Sequence, residues 1–240
     1  PGFRMHIAPT EGLPRNVAEP VVDMLYPAGS NARIPIIAVS GTNGKTTTTR
    51  LIAHMAKTAG HKVGFTTTDG VYIQNQMVQK GDCTGPISAE FVLKDPTVDF
   101  AVLECAADHL GLRDINSLED MARVKGVVPE SVFPNGYAIL NADDDLVAGM
   151  ASSLKCKVAY FSLNENNPLI KKHCEAGGLA AIAENGFVTI SKGNWKIRVD
   201  KIVNIPLTFS GKAIFMIQNI LPAVLAGFIR NFKMEDIRLA

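Results

Sequence analysis

Residues 39–50 read VSGTNGKTTTTR, and the fold is decided by how they are read. Before them, RIPIIAVS (33–40) is a short apolar run rich in Ile and Val, the pattern of a buried strand. After them a helical pattern runs from about Lys45 to Ala59. Gly41, Thr42, Asn43 and Gly44 therefore form a turn between a strand and a helix start. Two glycines let the backbone wrap closely round phosphate oxygens, and the amides at a helix start point outward with a favourable dipole. Lys45 adds a positive charge for the outer phosphates, Thr46 offers a hydroxyl to Mg²⁺, and Thr47 continues the first turn. A ligand-free tight turn has no need of a Lys-Thr pair after its second glycine. The loop is shorter than the commonest phosphate-loop pattern, which requires a glycine where Val39 stands.

Working outward, KVGFTTT (62–68) and DFAVLEC (99–105) read as further strands, with SAEFVLKD (88–95) helical between them. SLEDMARVKGVV (117–128) is a helix, and GYAILNADD (136–144) and KVAYFS (157–162) begin or form strands. Strands alternating with helices predict an α/β fold, a mostly parallel P-loop-type sheet flanked by helices. After Gly178 the rhythm changes, and residues 179–200 alternate in short segments with NG and GN turns, which predicts a small antiparallel meander. AIFMIQNILPAVLAGFI (213–229) is an apolar helix in which Pro222 is expected to make a kink or to sit in the first turn. PRNVAEPVVDMLYP (14–27) reads as a short helix capped by Asn16, and GSNA (29–32) as a linker.

Composition excludes little but is ordinary. Hydrophobic residues make up 47% and charged residues 20%, and 24 Lys plus Arg balance 23 Asp plus Glu. That balance gives no reason to expect nucleic acid or an anionic membrane as partner. No apolar run approaches a membrane span, and the first residues lack a signal-peptide core, so a cytoplasmic location is expected. They also lack an initiator Met, which suggests a piece of a longer chain. Cys83, Cys105, Cys156 and Cys174 show no ligand spacing and are expected to be reduced thiols.

Two further residues gain meaning from position alone. Glu104 ends an apolar strand, and a carboxylate there faces the crevice in which α/β proteins bind ligands. Lys125 follows Met121 by four and Leu118 by seven, on a helix where Leu118, Met121 and Ala122 make an apolar stripe. It is either a snorkelling lysine or one directed into the site. The run Asp143-Asp144-Asp145 suits a solvated turn better than a metal site.

The loop GTNGKTTT (41–48) resembles the Mur ligase family, whose members join amino acids to carboxylates with ATP. The same resemblance extends to the strand acid Glu104, to ADHLG (107–111) with Asp108 and His109, and to Lys125 shortly before LNADDD (140–145). It narrows, through RMHIAPTEGLPRNVAEPVVDMLYP, TTTDGVYIQ, GDCTGP and ARVKGVVPESV, to the branch that adds arginine to an aspartate backbone. The resemblance implies ATP and Mg²⁺ as cofactors, an acyl-phosphate route, and a cyanophycin-type polymer and L-arginine as substrates. It implies Thr46, Glu104, His109 and Lys125 around the metal ions, with Lys125 carbamylated, and Asn219 against adenine. Lys45, Lys125 and His109 are then the catalytic set. Residues 1–30 would be the tail of a preceding domain and linker, and 31–240 the central ATP-binding domain without its C-terminal partner. Homo-oligomer formation is left open.

One departure matters. In the family, a helix and a further strand separate the strand acid from the D-H-L segment, yet here ECA runs directly into ADHLG. A parallel crossover needs about a dozen residues or more, so a physical gap is expected between Ala106 and Ala107. Two other readings stay open: another Mur-type ligase, acting on folylpolyglutamate or cell-wall precursors, or a non-catalytic nucleotide-binding module.

Overall fold

The computed structural model describes residues 34–106 and 115–240, together with Met24. The expected helix at 14–27, the linker and the preceding-domain tail lie outside the described residues. So do Ala107, and with it the expected break, and Asp108, His109 and Leu110.

The fold is α/β, with ten strands in two sheets among the described residues. The first contains β1 (Ile36–Val39), β2 (Val63–Thr67), β3 (Gly70–Ile73), β4 (Gln76–Lys80) and β5 (Phe100–Glu104), in the order β1-β5-β2-β3-β4. β5 pairs in parallel with both β1 and β2, whereas β3 and β4 continue the sheet as an antiparallel hairpin. The second contains β6 (Tyr137–Asn141), β7 (Lys157–Ser162), β8 (Leu179–Glu184), β9 (Phe187–Lys192) and β10 (Trp195–Lys201), ordered β10-β9-β8-β7-β6. Here β6, β7 and β8 are parallel, and the expected meander β8-β9-β10 grows from them as an antiparallel flank. Each sheet is thus parallel in three strands and antiparallel beyond.

Both sheets share one core. α1 (Lys45–Thr58) packs on the first, α6 (Ile214–Ile229) on the second, and the two helices pack on each other. Ile52 of α1 and Leu221 of α6 join Val39, Phe65 and Val102 of the first sheet and Ala159, Leu179 and Val188 of the second in a single apolar cluster. α6 is apolar nearly all round, and Leu221, Ala223 and Leu225 are fully buried. Pro222 stands at its ninth position, not in its first turn, and the helix continues through it to Ile229. The opposite face of the second sheet is covered by α5 (Pro168–Glu175), where Ile170 packs with Leu140, Tyr160 and Ile182. β5 and the first four residues of β8 are buried on both faces, which explains their unbroken apolar runs. The remaining α-helices among the described residues are α2 (Pro86–Lys94), α3 (Leu118–Glu130), α4 (Asp145–Gly149) and α7 (Met234–Leu239). Among the described residues no helix is long and apolar enough to cross a membrane.

Candidate active site

The site grows from the matched ends of β1 and β5. The two strands run in register, with Val39 beside Glu104, and the Cys105 amide donates to the Val39 carbonyl at 2.9 Å. The phosphate-type loop leaves β1 where β5 ends. Gly44 closes the loop in the left-handed region at φ 75° and caps α1 without a side-chain hydrogen bond. The first turn of α1 carries no acidic residue, so its amides and Lys45 face an uncompensated positive end. Lys45 lies folded over the loop, with Nζ 3.4 Å from the Thr42 carbonyl oxygen.

Glu104 is 2% exposed. Its Oε2 accepts a hydrogen bond from Thr46 Oγ1 at 2.9 Å, and its backbone amide donates to Thr66 Oγ1 at 3.2 Å. Its Oε1 is buried and has no hydrogen-bond partner among the described residues. A buried carboxylate oxygen with no donor is costly to hold, and a cation beside it would offset that cost. The donor set, a threonine hydroxyl and a carboxylate, is hard oxygen chemistry of the kind Mg²⁺ takes. Thr46 and Glu104 thus fit a divalent cation. Among the described residues no cluster of three His, Cys, Asp or Glu side chains supplies further ligands.

Lys125 reaches the same place from α3, where its Nζ donates to the Gly41 carbonyl at 3.0 Å. It lines a cavity of about 230 Å³ with Ser40, Gly85, Leu103, Glu104 and Cys105. α3 is oriented differently from the expected stripe. Leu118 is 74% exposed, and the helix is anchored instead by Val124, which is 4% exposed. Leu118 occupies the first position after the Ser117 cap, which accepts from the Asp120 amide, so that turn precedes the contact with the body. Burial, reinforced by the Glu104 charge, pushes the Cys105 thiol up, which disfavours the thiolate.

The other residues singled out by sequence divide. Asn219, on α6, is seated against the loop: a Cβ built on Gly44 would lie 1.9 Å from its Oδ1. Thr42 and Asn43 are exposed on the loop, and Thr47 is half-buried in the first turn of α1. Asp143 is taken up by a turn, accepting from Ser162 Oγ at 2.6 Å, the Leu163 amide at 2.7 Å and Asn167 Nδ2 at 3.0 Å. Asp144 caps α4 through the Val147 amide. The aspartate run is structural.

The structure adds Thr68, whose Oγ1 lies 3.3 Å from Thr46 Oγ1. It follows β2 directly, at the same end of the parallel sheet as Glu104, a placement that the strand-end rule could have flagged. Asp69 fixes the turn behind it. Its carboxylate accepts from Thr67, Tyr72 and Arg50, the last at 2.6 Å, and these partners, Thr67 foremost, hold its pKa down to about 2.

Comparison with known proteins follows this geometry. Residues 39–118 match the Mur ligase middle domain. The chain is 54% identical to cyanophycin synthetase of Crocosphaera subtropica and 52% identical to that of Geminocystis herdmanii, in each case over 99% of this chain and 30% of the relative. The chain thus spans less than a third of the length of these relatives. Both alignments run over 261 residues against the 240 here, so within the aligned stretch the relatives carry about twenty residues that this chain does not. Among solved structures, UDP-N-acetylmuramoyl-L-alanyl-D-glutamate–2,6-diaminopimelate ligase shares the fold with a TM-score of 0.62 at 19% identity, over 91% of this chain and 47% of that one.

Proposed function

Because the chain carries a Mur ligase middle domain and follows one stretch of cyanophycin synthetases along its length, we propose that it is the nucleotide-binding centre of an ATP-dependent amide-forming ligase. The reaction is addition of L-arginine to the aspartate side chains of a cyanophycin-type polymer. The side-chain carboxylate attacks the γ-phosphorus of ATP, giving an acyl phosphate and ADP. The arginine amine then attacks the acyl carbon, phosphate leaves, and the ammonium proton is released.

One observation carries the reading: the buried, half-satisfied Glu104 carboxylate hydrogen-bonded to Thr46 at the mouth of the loop. Thr46 and Glu104 would hold Mg²⁺, which supplies charge neutralisation for the transferring phosphoryl group. Lys45 and the loop amides bind and orient the phosphates. Lys125, anchored on the Gly41 carbonyl, lines the same cavity as Glu104 and is the residue whose carbamylation the family resemblance implies. His109 belongs to the proposed metal set by resemblance alone. Asn219, seated on Gly44, is in position to meet a nucleotide that leaves the loop along α6. The 52–54% identity to cyanophycin synthetases favours this acceptor over folate or cell-wall precursors. Calorimetry of a non-hydrolysable ATP analogue with the full-length protein tests the site. Binding should need Mg²⁺ and fall at least tenfold in Lys45→Ala, and an unchanged affinity would overturn the assignment. Arginine incorporation into an aspartate polymer tests the acceptor.

A further inference from the structure

α6 runs alongside α1 but starts earlier. Asn219 marks the level at which α1 begins, because it touches Gly44, the residue immediately before Lys45. Residues four apart on a helix share a face, about 6 Å apart along the axis. The face carrying Asn219 continues C-terminally through Ala223, 0% exposed, and Ala226, 3% exposed, alongside α1. N-terminally it reaches Phe215, one turn beyond the start of α1 and therefore past the loop. Phe215 is 64% exposed. Its neighbour Ile214 is 61% exposed, on a helix whose later turns are among the driest in the molecule.

We propose that Phe215 is the stacking platform for the adenine ring of the nucleotide whose phosphates lie on Gly41–Thr47. The inference rests on the phosphate-loop reading and extends it to the base. The loop fixes one end of the ligand, Asn219 lies along its path, and the first group beyond Asn219 on that face is a flat aromatic open to water. A phenyl ring in that place offers a purine the offset contact that aromatic pairs prefer. Its contribution is blind to base identity, because every base has a π-face. Discrimination of adenine therefore falls to polar groups such as the Asn219 amide, which can donate and accept on one base edge.

The test compares Mg²⁺-AMPPNP with inorganic tripolyphosphate, which has phosphates and no base, by calorimetry on the full-length protein. Phe215→Ala should weaken AMPPNP about thirtyfold, the middle of the range for base stacking, and leave tripolyphosphate unchanged. Phe215→Tyr should retain wild-type affinity. Phe215→Trp should show indole quenching with AMPPNP and none with tripolyphosphate. Equal affinity of Phe215→Ala and wild type for AMPPNP would overturn the proposal, as would parallel loss of both ligands. Tripolyphosphate binding that is indifferent to Lys45→Ala would instead overturn the loop reading beneath it, and the stack with it.

Discussion

Replacing Glu104 by Gln should change the empty and the nucleotide-bound protein in opposite directions. In the empty protein the carboxylate is buried, and one oxygen has no donor among the described residues. An unsatisfied buried polar group costs about 1–3 kcal/mol, more when charged. The amide keeps an acceptor for Thr46 and removes the charge, so unfolding stability should hold or rise by about 1 kcal/mol, or 2–4 °C for a domain of this size. With Mg²⁺ and AMPPNP at a hundredfold excess over the dissociation constant, wild type should gain about 2.7 kcal/mol. That corresponds to roughly 5–10 °C, and Glu104→Gln should lose most of it. Scanning calorimetry on both proteins, with and without ligand, reads both signs. A variant that melts lower when empty yet keeps the full Mg²⁺-nucleotide shift would refute the reasoning, because Glu104 would then be a structural carboxylate.

Three further outcomes are expected. Gly44→Ala forces a side chain into the left-handed region, at about 1–2 kcal/mol, and into the Asn219 amide; nucleotide affinity measured by calorimetry should fall more than tenfold while the protein still folds. Asp69→Asn should lower the unfolding free energy measured by urea titration at pH 7 by only about 1 kcal/mol, since Asp69 and Arg50 are both nearly half exposed. The folded pKa of Asp69 is about 2 against an ordinary 3.8, so its contribution is present above pH 4 and fades as pH falls toward 2. The gap between variant and wild type should close over that window, and a gap constant with pH would count against the ionised-carboxylate account. Carbamylation of Lys125 predicts ligase activity of the full-length protein that rises with bicarbonate and is abolished in Lys125→Met; activity indifferent to bicarbonate depletion would speak against it.

The legible parts of the molecule were those where one short stretch has one physical use. The strand, glycine loop, Lys-Thr and helix at 36–58 could be read because few other structures need that order. Glu104 could be read because an acid ending an apolar strand has few other reasons to be there. The β3-β4 hairpin escaped notice for an equally definite reason. Its turn is Gln74-Asn75, with φ 48° and 71°, a left-handed pair built without the glycine that normally announces it. All five residues of β4 are exposed, so no alternation of burial marked the strand. The stripe on α3 was drawn through Leu118 because periodicity identifies a face but not where along a helix contact begins. Phe215 has no signature in sequence at all, since an apolar residue heading an apolar helix looks like core until its exposure is known.

The two sheets end alike. Among the described residues β1 pairs only with β5, and β6 only with β7, both in parallel. Strands of this kind are ordinarily internal, and here each presents a row of backbone donors and acceptors along one side. β4, the other border of the first sheet, exposes Met77 and Val78 but ends on Lys80, a charge that discourages intermolecular pairing. β1 offers Ile36, 53% exposed, and no charge. Where no further stretch of polypeptide pairs with it, β1 should therefore be the place at which edge-to-edge addition begins in concentrated solution. A lysine in place of Ile36 should raise the concentration at which the protein stays monodisperse in light scattering, without touching the loop that β1 feeds.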